Sequence, residues 1–148
     1  MTVTFPVERL PESWQVVDLY SGMTLPVMAA GDGRSQVTVT TRRFGGALLA
    51  FRPEFQLEVQ APATVGRGET AVLEINLPGL TGTAPVQVTL TAPDGSADPE
   101  ISGCYAPQGG RPLTLDFRPG INAPTGKWDI EVQELGSGLR TEKSMDVK

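Results

Sequence analysis

Apolar and polar positions alternate with period two over most of the chain, the pattern of strands buried on one face. Phe55, Leu57 and Val59 alternate with Glu54, Gln56, Glu58 and Gln60. Ala71, Leu73, Ile75 and Leu77 alternate with Thr70, Glu74 and Asn76, and Val86, Val88, Leu90 and Ala92 with Gln87, Thr89 and Thr91. Leu113, Leu115 and Phe117 flank Thr114 and Asp116, while Trp128, Ile130 and Val132 interleave with Lys127, Asp129, Glu131 and Gln133. A strand over Glu100–Tyr105 and a last one over Leu139–Val147 complete a set of seven. Turn chemistry separates them, as in Val65-Gly66-Arg67-Gly68, Pro93-Asp94-Gly95, Gly109-Gly110 and Pro124-Thr125-Gly126. Seven short strands at this spacing predict an immunoglobulin-like β-sandwich over residues 54–148. Trp128 is expected in its core, with Ile130 and Val132 on the same face.

The first third reads differently. Met1–Pro6 is strand-like, and Trp14–Tyr20 is a denser apolar run, as in a strand covered on both faces. Ser21-Gly22 turns it, Thr24–Met28 continues, and Gly31-Asp32-Gly33 signals a tight hairpin. Gln36–Thr41 and Ala47–Phe51 supply two further strands, bent at Gly45-Gly46. These predict a small antiparallel β-domain over residues 1–53. No 3.6-residue stripe occurs, so the fold class is all-β, with under about a tenth of residues helical. Charge shifts at the same boundary: residues 1–53 hold five Arg and four acids, residues 54–148 seven bases and thirteen acids. The link Arg52-Pro53-Glu54 is too short and stiff for a tether, so the two units are expected to pack against each other, near Phe44, Phe51 and Phe55. Arg42-Arg43 is then expected to ion-pair across to the acidic second unit.

Composition removes whole classes of function. Histidine is absent and cysteine occurs once, at Cys104. A Ser-His-Asp triad, a Cys-His nucleophile, a disulfide and the usual zinc sites are thereby excluded within the chain. No cofactor is implied. Cys104 has no neighbouring cation in sequence to lower its pKa and reads as an inert small hydrophobe. A net charge of -5 gives nucleic acid no electrostatic support, and no apolar run reaches the length of about 18 residues needed to insert in a membrane. The first residues lack a basic segment followed by an apolar one, so no secretory signal is expected in them.

Three sets of residues remain as candidate chemistry. Asp94, Ser96, Asp98 and Glu100 place oxygens at alternate positions, as a calcium loop does, although Pro-Asp-Gly is equally turn chemistry. Asp116, Asp129 and Glu131 could supply paired carboxylates for glycoside hydrolysis, but they fall on the polar faces of strands. Trp14, Tyr20 and Tyr105 are the aromatics best placed to stack on a sugar, against packing roles for the rest.

Two resemblances add to this reading. Trp14-Gln15-Val16-Val17-Asp18-Leu19-Tyr20-Ser21-Gly22, followed by a hairpin and by Gly46-Ala47-Leu48-Leu49-Ala50-Phe51, resembles the small C-terminal β-domain of glycoside hydrolases such as family 42 β-galactosidases. There a W-x-V-x-D-L-x-T-G strand precedes the final hairpin; Ser21 stands where Thr is commoner. The catalytic carboxylates of that family lie in a barrel outside this segment, so none is carried over. Residues 54–148 resemble an immunoglobulin-like module of the macroglobulin or bacterial accessory type, through Gly68-Glu69-Thr70, Ala92-Pro93-Asp94-Gly95 and Ala123-Pro124-Thr125-Gly126-Lys127-Trp128. Together the resemblances imply a non-catalytic C-terminal accessory region of a larger bacterial carbohydrate-active enzyme, secreted or periplasmic. Its partner would be the upstream catalytic domain of the same polypeptide. The alternatives are a carbohydrate-binding module and an adhesion or macroglobulin-like interaction module.

Overall fold

The computed structural model describes residues 2–12, 14–41 and 45–148, and none of them is helical. The chain divides into two compact units, Met1–Glu54 and Phe55–Lys148. Arg42, Arg43 and Phe44, for which an interface role was expected, lie outside the described residues.

In the first unit the strands are β1 (Thr2–Val7), β2 (Trp14–Asp18), β3 (Met23–Leu25), β4 (Val27–Ala29), β5 (Ser35–Thr40) and β6 (Leu49–Pro53). They form two antiparallel three-stranded sheets, ordered β1-β5-β4 and β3-β2-β6. Thr24–Met28 is not one strand, as its sequence suggested. Pro26 has no N–H to give a ladder, and the chain changes sheets there, β3 pairing with β2 and β4 with β5. The buried heart of this unit is Val16, Val37 and Val39, with Val7, Leu10, Leu25 and Leu49 packed around them. Val16 and Val17 are both fully buried, so the middle of β2 is covered on both faces as expected. The strand is shorter than Trp14–Tyr20, because Asp18 ends it. One Asp18 carboxylate oxygen accepts the Tyr20 N–H (3.1 Å) and the other the Ser21 hydroxyl (2.8 Å). The Gly22 N–H then donates to the Asp18 carbonyl (2.8 Å) at φ +69°, a left-handed conformation that Gly adopts without strain. The D-L-x-S-G segment is thus a capped turn in which each polar residue has a physical task.

In the second unit the strands are β7 (Glu58–Gln60), β8 (Thr64–Val65), β9 (Ala71–Asn76), β10 (Val86–Thr91), β11 (Gly103–Tyr105), β12 (Leu113–Phe117), β13 (Gly126–Glu134) and β14 (Arg140–Val147). One sheet runs β12-β9-β7 and the other β11-β10-β13-β14-β8. This is the strand order of an immunoglobulin-like sandwich. All seven expected strands are present, but the first is displaced and divided. It pairs antiparallel with β9 at Glu58–Gln60, breaks at Ala61-Pro62-Ala63, and resumes as β8, parallel to β14. Phe55, assigned to that strand by alternation, is instead a buried residue ahead of it.

The interior is filled from both sheets. Ala71, Leu73 and Ile75 of β9 and Phe117 of β12 share one buried cluster with Val86, Val88 and Leu90 of β10, Trp128, Ile130 and Val132 of β13, and Met145 and Val147 of β14. Trp128 is 5% exposed and lies on the same inward face as Ile130 and Val132, as its alternation requires. Its ring centroid is 5.1 Å from that of Phe117 at 47°, and its Nε1–H donates to the Pro124 carbonyl (3.0 Å). The indole therefore buries its area without stranding its donor.

Candidate functional site

The acidic segment after β10 is built as a run of turns. Asp94 Oδ1 accepts the Ser96 N–H (2.9 Å) and the Ser96 hydroxyl (2.6 Å), and these bonds hold the Asp94 carboxyl below its usual pKa. Asp98 Oδ1 accepts the N–H groups of Glu100 and Ile101, both at 3.0 Å. The strand expected from Glu100 accordingly begins only at Gly103, after the turn that Asp98 caps. The Asp94 and Asp98 carboxylates thus satisfy backbone donors of their own loop, those of Ser96, Glu100 and Ile101. Among the described residues no group of three His, Cys, Asp or Glu side chains converges on a point that could hold a metal.

The carboxylate pair does not form either. Asp116 is on the outer face of β12, whereas Asp129 and Glu131 are on β13, in the other sheet of the sandwich. Packed sheets stand about 10 Å apart with side chains between them, which separates these outer faces further. Asp129 Oδ1 accepts the Ser144 hydroxyl (2.7 Å) and meets Lys127 Nζ at 2.9 Å, and both depress its pKa, the hydroxyl more. Glu131 opposes Glu142 across the β13–β14 ladder, and Arg140 bridges the two at 2.5 and 2.9 Å. These charges are spent on one another at the sheet surface. Cys104, expected to be an inert small hydrophobe, is exposed on the edge strand β11, its thiol donating to Gln87 Oε1 (2.9 Å).

Within the first unit, Trp14 and Tyr20 are not brought together. Trp14 opens β2, and Tyr20 lies in the turn beyond the far end of that strand, with about 13 Å of strand between Trp14 and Asp18. Tyr105 belongs to the second unit. It packs against that unit's core and donates its hydroxyl to the Ile101 carbonyl (2.8 Å), so it acts in packing. Trp14 lines a concavity. A groove of about 410 Å³ runs beside it in the first unit, walled by Leu10, Pro11, Val27, Met28 and Ala29, with Arg9, Glu12 and Arg34 among its lining residues.

Sequence reasoning passed over two features. One is this groove, because nothing along the chain announces that β4 comes to lie beside the segment before β2. The other is Glu134, a buried carboxylate that accepts the N–H groups of Gly136 (2.8 Å) and Ser137 (2.6 Å) and the Ser137 hydroxyl. It ties down the turn between β13 and β14. Its signal was available: Glu134 continues the inward positions Trp128, Ile130 and Val132, where a charge needs partners.

No protein-family model matches the chain, and no curated protein matches it. Among solved structures the chain is similar to the PKD domain of an M14-like peptidase from a Thermoplasmatales archaeon, at 15% identity over 63% of this chain and 91% of that one, with a TM-score of 0.39.

Proposed function

We propose that the chain is a non-catalytic accessory region of a larger carbohydrate-active enzyme, a glycoside hydrolase, and that it packs on or spaces the catalytic domain of the same polypeptide. The supporting observation is the uneven surface of the first unit. Tyr20, Met23, Met28 and Leu48 are each about half exposed or more, around a buried cluster whose described members are Val16, Val37 and Val39. A unit that exposes so much apolar surface while burying so little gains from a protein neighbour. The capped Asp18–Gly22 turn gives a structural reason for the motif through which this unit resembles glycoside hydrolase C-terminal domains. In the second unit one apolar cluster fills the space between the sheets, and Asp94, Asp98, Asp129, Glu131 and Glu134 are engaged in turns or in surface contacts with Ser144, Lys127 and Arg140, which suits a spacer or docking role.

The test compares the full-length parent polypeptide with a version lacking this region, and both with this chain alone, on aryl glycosides. The expected result is turnover in the first two, none in the third, and a lower thermal midpoint for the shortened enzyme. Turnover by the isolated chain that disappears in Asp129→Asn or Glu131→Gln would overturn the reading, as would an unchanged midpoint on deletion.

A further inference from the structure

We propose that β12 is a docking edge for a second copy of this chain, the two strands pairing antiparallel about a two-fold axis at Leu115. This contact goes beyond the accessory role and does not depend on it, so the deletion experiment above leaves it untouched. The sheet edges of the second unit are not alike. β7 and β11 are three residues long, and β8 is two. β14 is longer, but beyond its two pairs with β8 it carries Arg140, Glu142 and Lys143. Short length and charge are what keep an edge from recruiting another strand. β12 has little of either: it runs five residues, Leu113–Phe117, with no proline inside it and Asp116 as its one charge. Among the described residues it pairs with β9 alone. Alternate N–H and C=O groups along its other side therefore face away from the sheet. Burial follows the same line. Leu73 and Ile75 of β9 are 1% exposed, whereas Leu115 and Leu113, paired with them on β12, are only half-buried.

The sequence of β12 is complementary to itself in one register. With Leu115 opposite the partner's Leu115 on the axis, Leu113 stands opposite the partner's Phe117 on the inner face. On the outer face Thr114 stands opposite the partner's Asp116. Apolar residues then meet apolar ones, and each threonine hydroxyl has a carboxylate to donate to. Moving the axis to Thr114 would place Pro112 opposite the partner's Asp116 inside the ladder, where its missing N–H breaks a bond. Moving it to Asp116 would set two carboxylates face to face. A strand of some other protein would satisfy the backbone groups equally well. The match of Leu113, Thr114, Asp116 and Phe117 in reverse order is what selects a second copy, in an isologous contact that closes at the dimer.

Sedimentation equilibrium of the whole chain tests this, with circular dichroism to check the fold of each variant. A reversible dimer with Kd on the order of 0.1 mM is expected, the strength of an interface smaller than about 1,200 Å². Two chains of net charge -5 repel each other. Raising salt from about 0.01 M to about 0.15 M shortens the screening length from about 30 Å to about 8 Å and should tighten the dimer. Thr114 is exposed on the outer face, so its variants probe the register without touching the core. Thr114→Glu puts a carboxylate against the partner's Asp116 at both ends of the ladder and should weaken association about tenfold. Thr114→Lys puts a cation there and should tighten it, and adding Asp116→Lys to Thr114→Glu should restore it. A chain that stays monomeric up to about 1 mM overturns the proposal, even if it takes up an unrelated extended peptide. A dimer that Thr114→Glu and Thr114→Lys leave unchanged, or weaken alike, is held by another surface and overturns it equally.

Discussion

Gly109 has no room for a side chain. A Cβ on it would sit 1.9 Å from the Leu80 carbonyl oxygen, and its own N–H is held by the Gly82 carbonyl at 2.8 Å. The obstacle is backbone, which cannot swing aside as a flexible side chain would. Gly109→Ala should therefore destabilise the second unit by about 1–3 kcal/mol, the cost of forcing extra volume into a packed site. A denaturant midpoint close to that of the unchanged chain would show that the two loops can part without loss. Trp128 presents the opposite case, a large side chain with every neighbour in place. Trp128→Ala removes the ring from Phe117 and leaves a void between the sheets, and should cost about 3–5 kcal/mol. An almost neutral effect in equilibrium unfolding would contradict the burial described. The inward position of Trp128 was legible in the sequence because alternation fixes a face. The crowding at Gly109 was not, because it depends on two loops distant along the chain.

Strands and turns show where local pattern ends and tertiary pairing begins. Alternation marked five strands of the second unit, the first of them displaced, and it could not say where strands change sheets. Two of the changes of sheet, β3 to β4 and β7 to β8, fall at a proline, Pro26 and Pro62. Proline reads in sequence as a break, but which partner the chain joins afterwards is decided by packing. The Asp94–Glu100 segment admits two readings for a related reason. Oxygens at alternate positions suit a cation and suit a run of capped turns, and only the donors actually reached tell them apart. On the β13–β14 ladder, Asp129 carries a testable consequence. Its folded pKa lies below the ordinary value of 3.8, through Ser144 and then Lys127. A depressed folded pKa contributes stability that is fully present above the unfolded value and is lost as pH falls through the folded one. The chain should thus be more stable than Asp129→Asn at about pH 6, and the gap should close at about pH 2. Urea midpoints for both proteins at the two pH values measure it, and a gap that persists in acid would assign the effect to something other than the ionised carboxylate. The site is exposed and partly screened, so the difference is expected to be small.

At the scale of the whole chain, the two units differ in how much each can bury for itself. Among the described residues, the second unit encloses seventeen buried apolar residues in one cluster drawn from both sheets, whereas the cluster of the first centres on three. Composition did not foretell this, since the apolar residues of the first third are as dense as those of the sandwich. What separates the units is the length and layering of their strands. In the first unit β3 and β4 are three residues each, and half or more of their side chains are open to water. Fewer than about 60 residues with a core of that size fall near the lower limit for independent folding, where the entropy of ordering the chain roughly cancels what burial returns. Residues 55–148 expressed alone should give a cooperative thermal transition and a β-type far-ultraviolet spectrum. Residues 1–54 alone should show neither, and their amide protons should exchange within the dead time of the measurement. If residues 1–54 melt cooperatively by themselves, three valines and their half-buried neighbours suffice as a core. The exposed Tyr20, Met23, Met28 and Leu48 would then no longer argue that this unit depends on a protein neighbour.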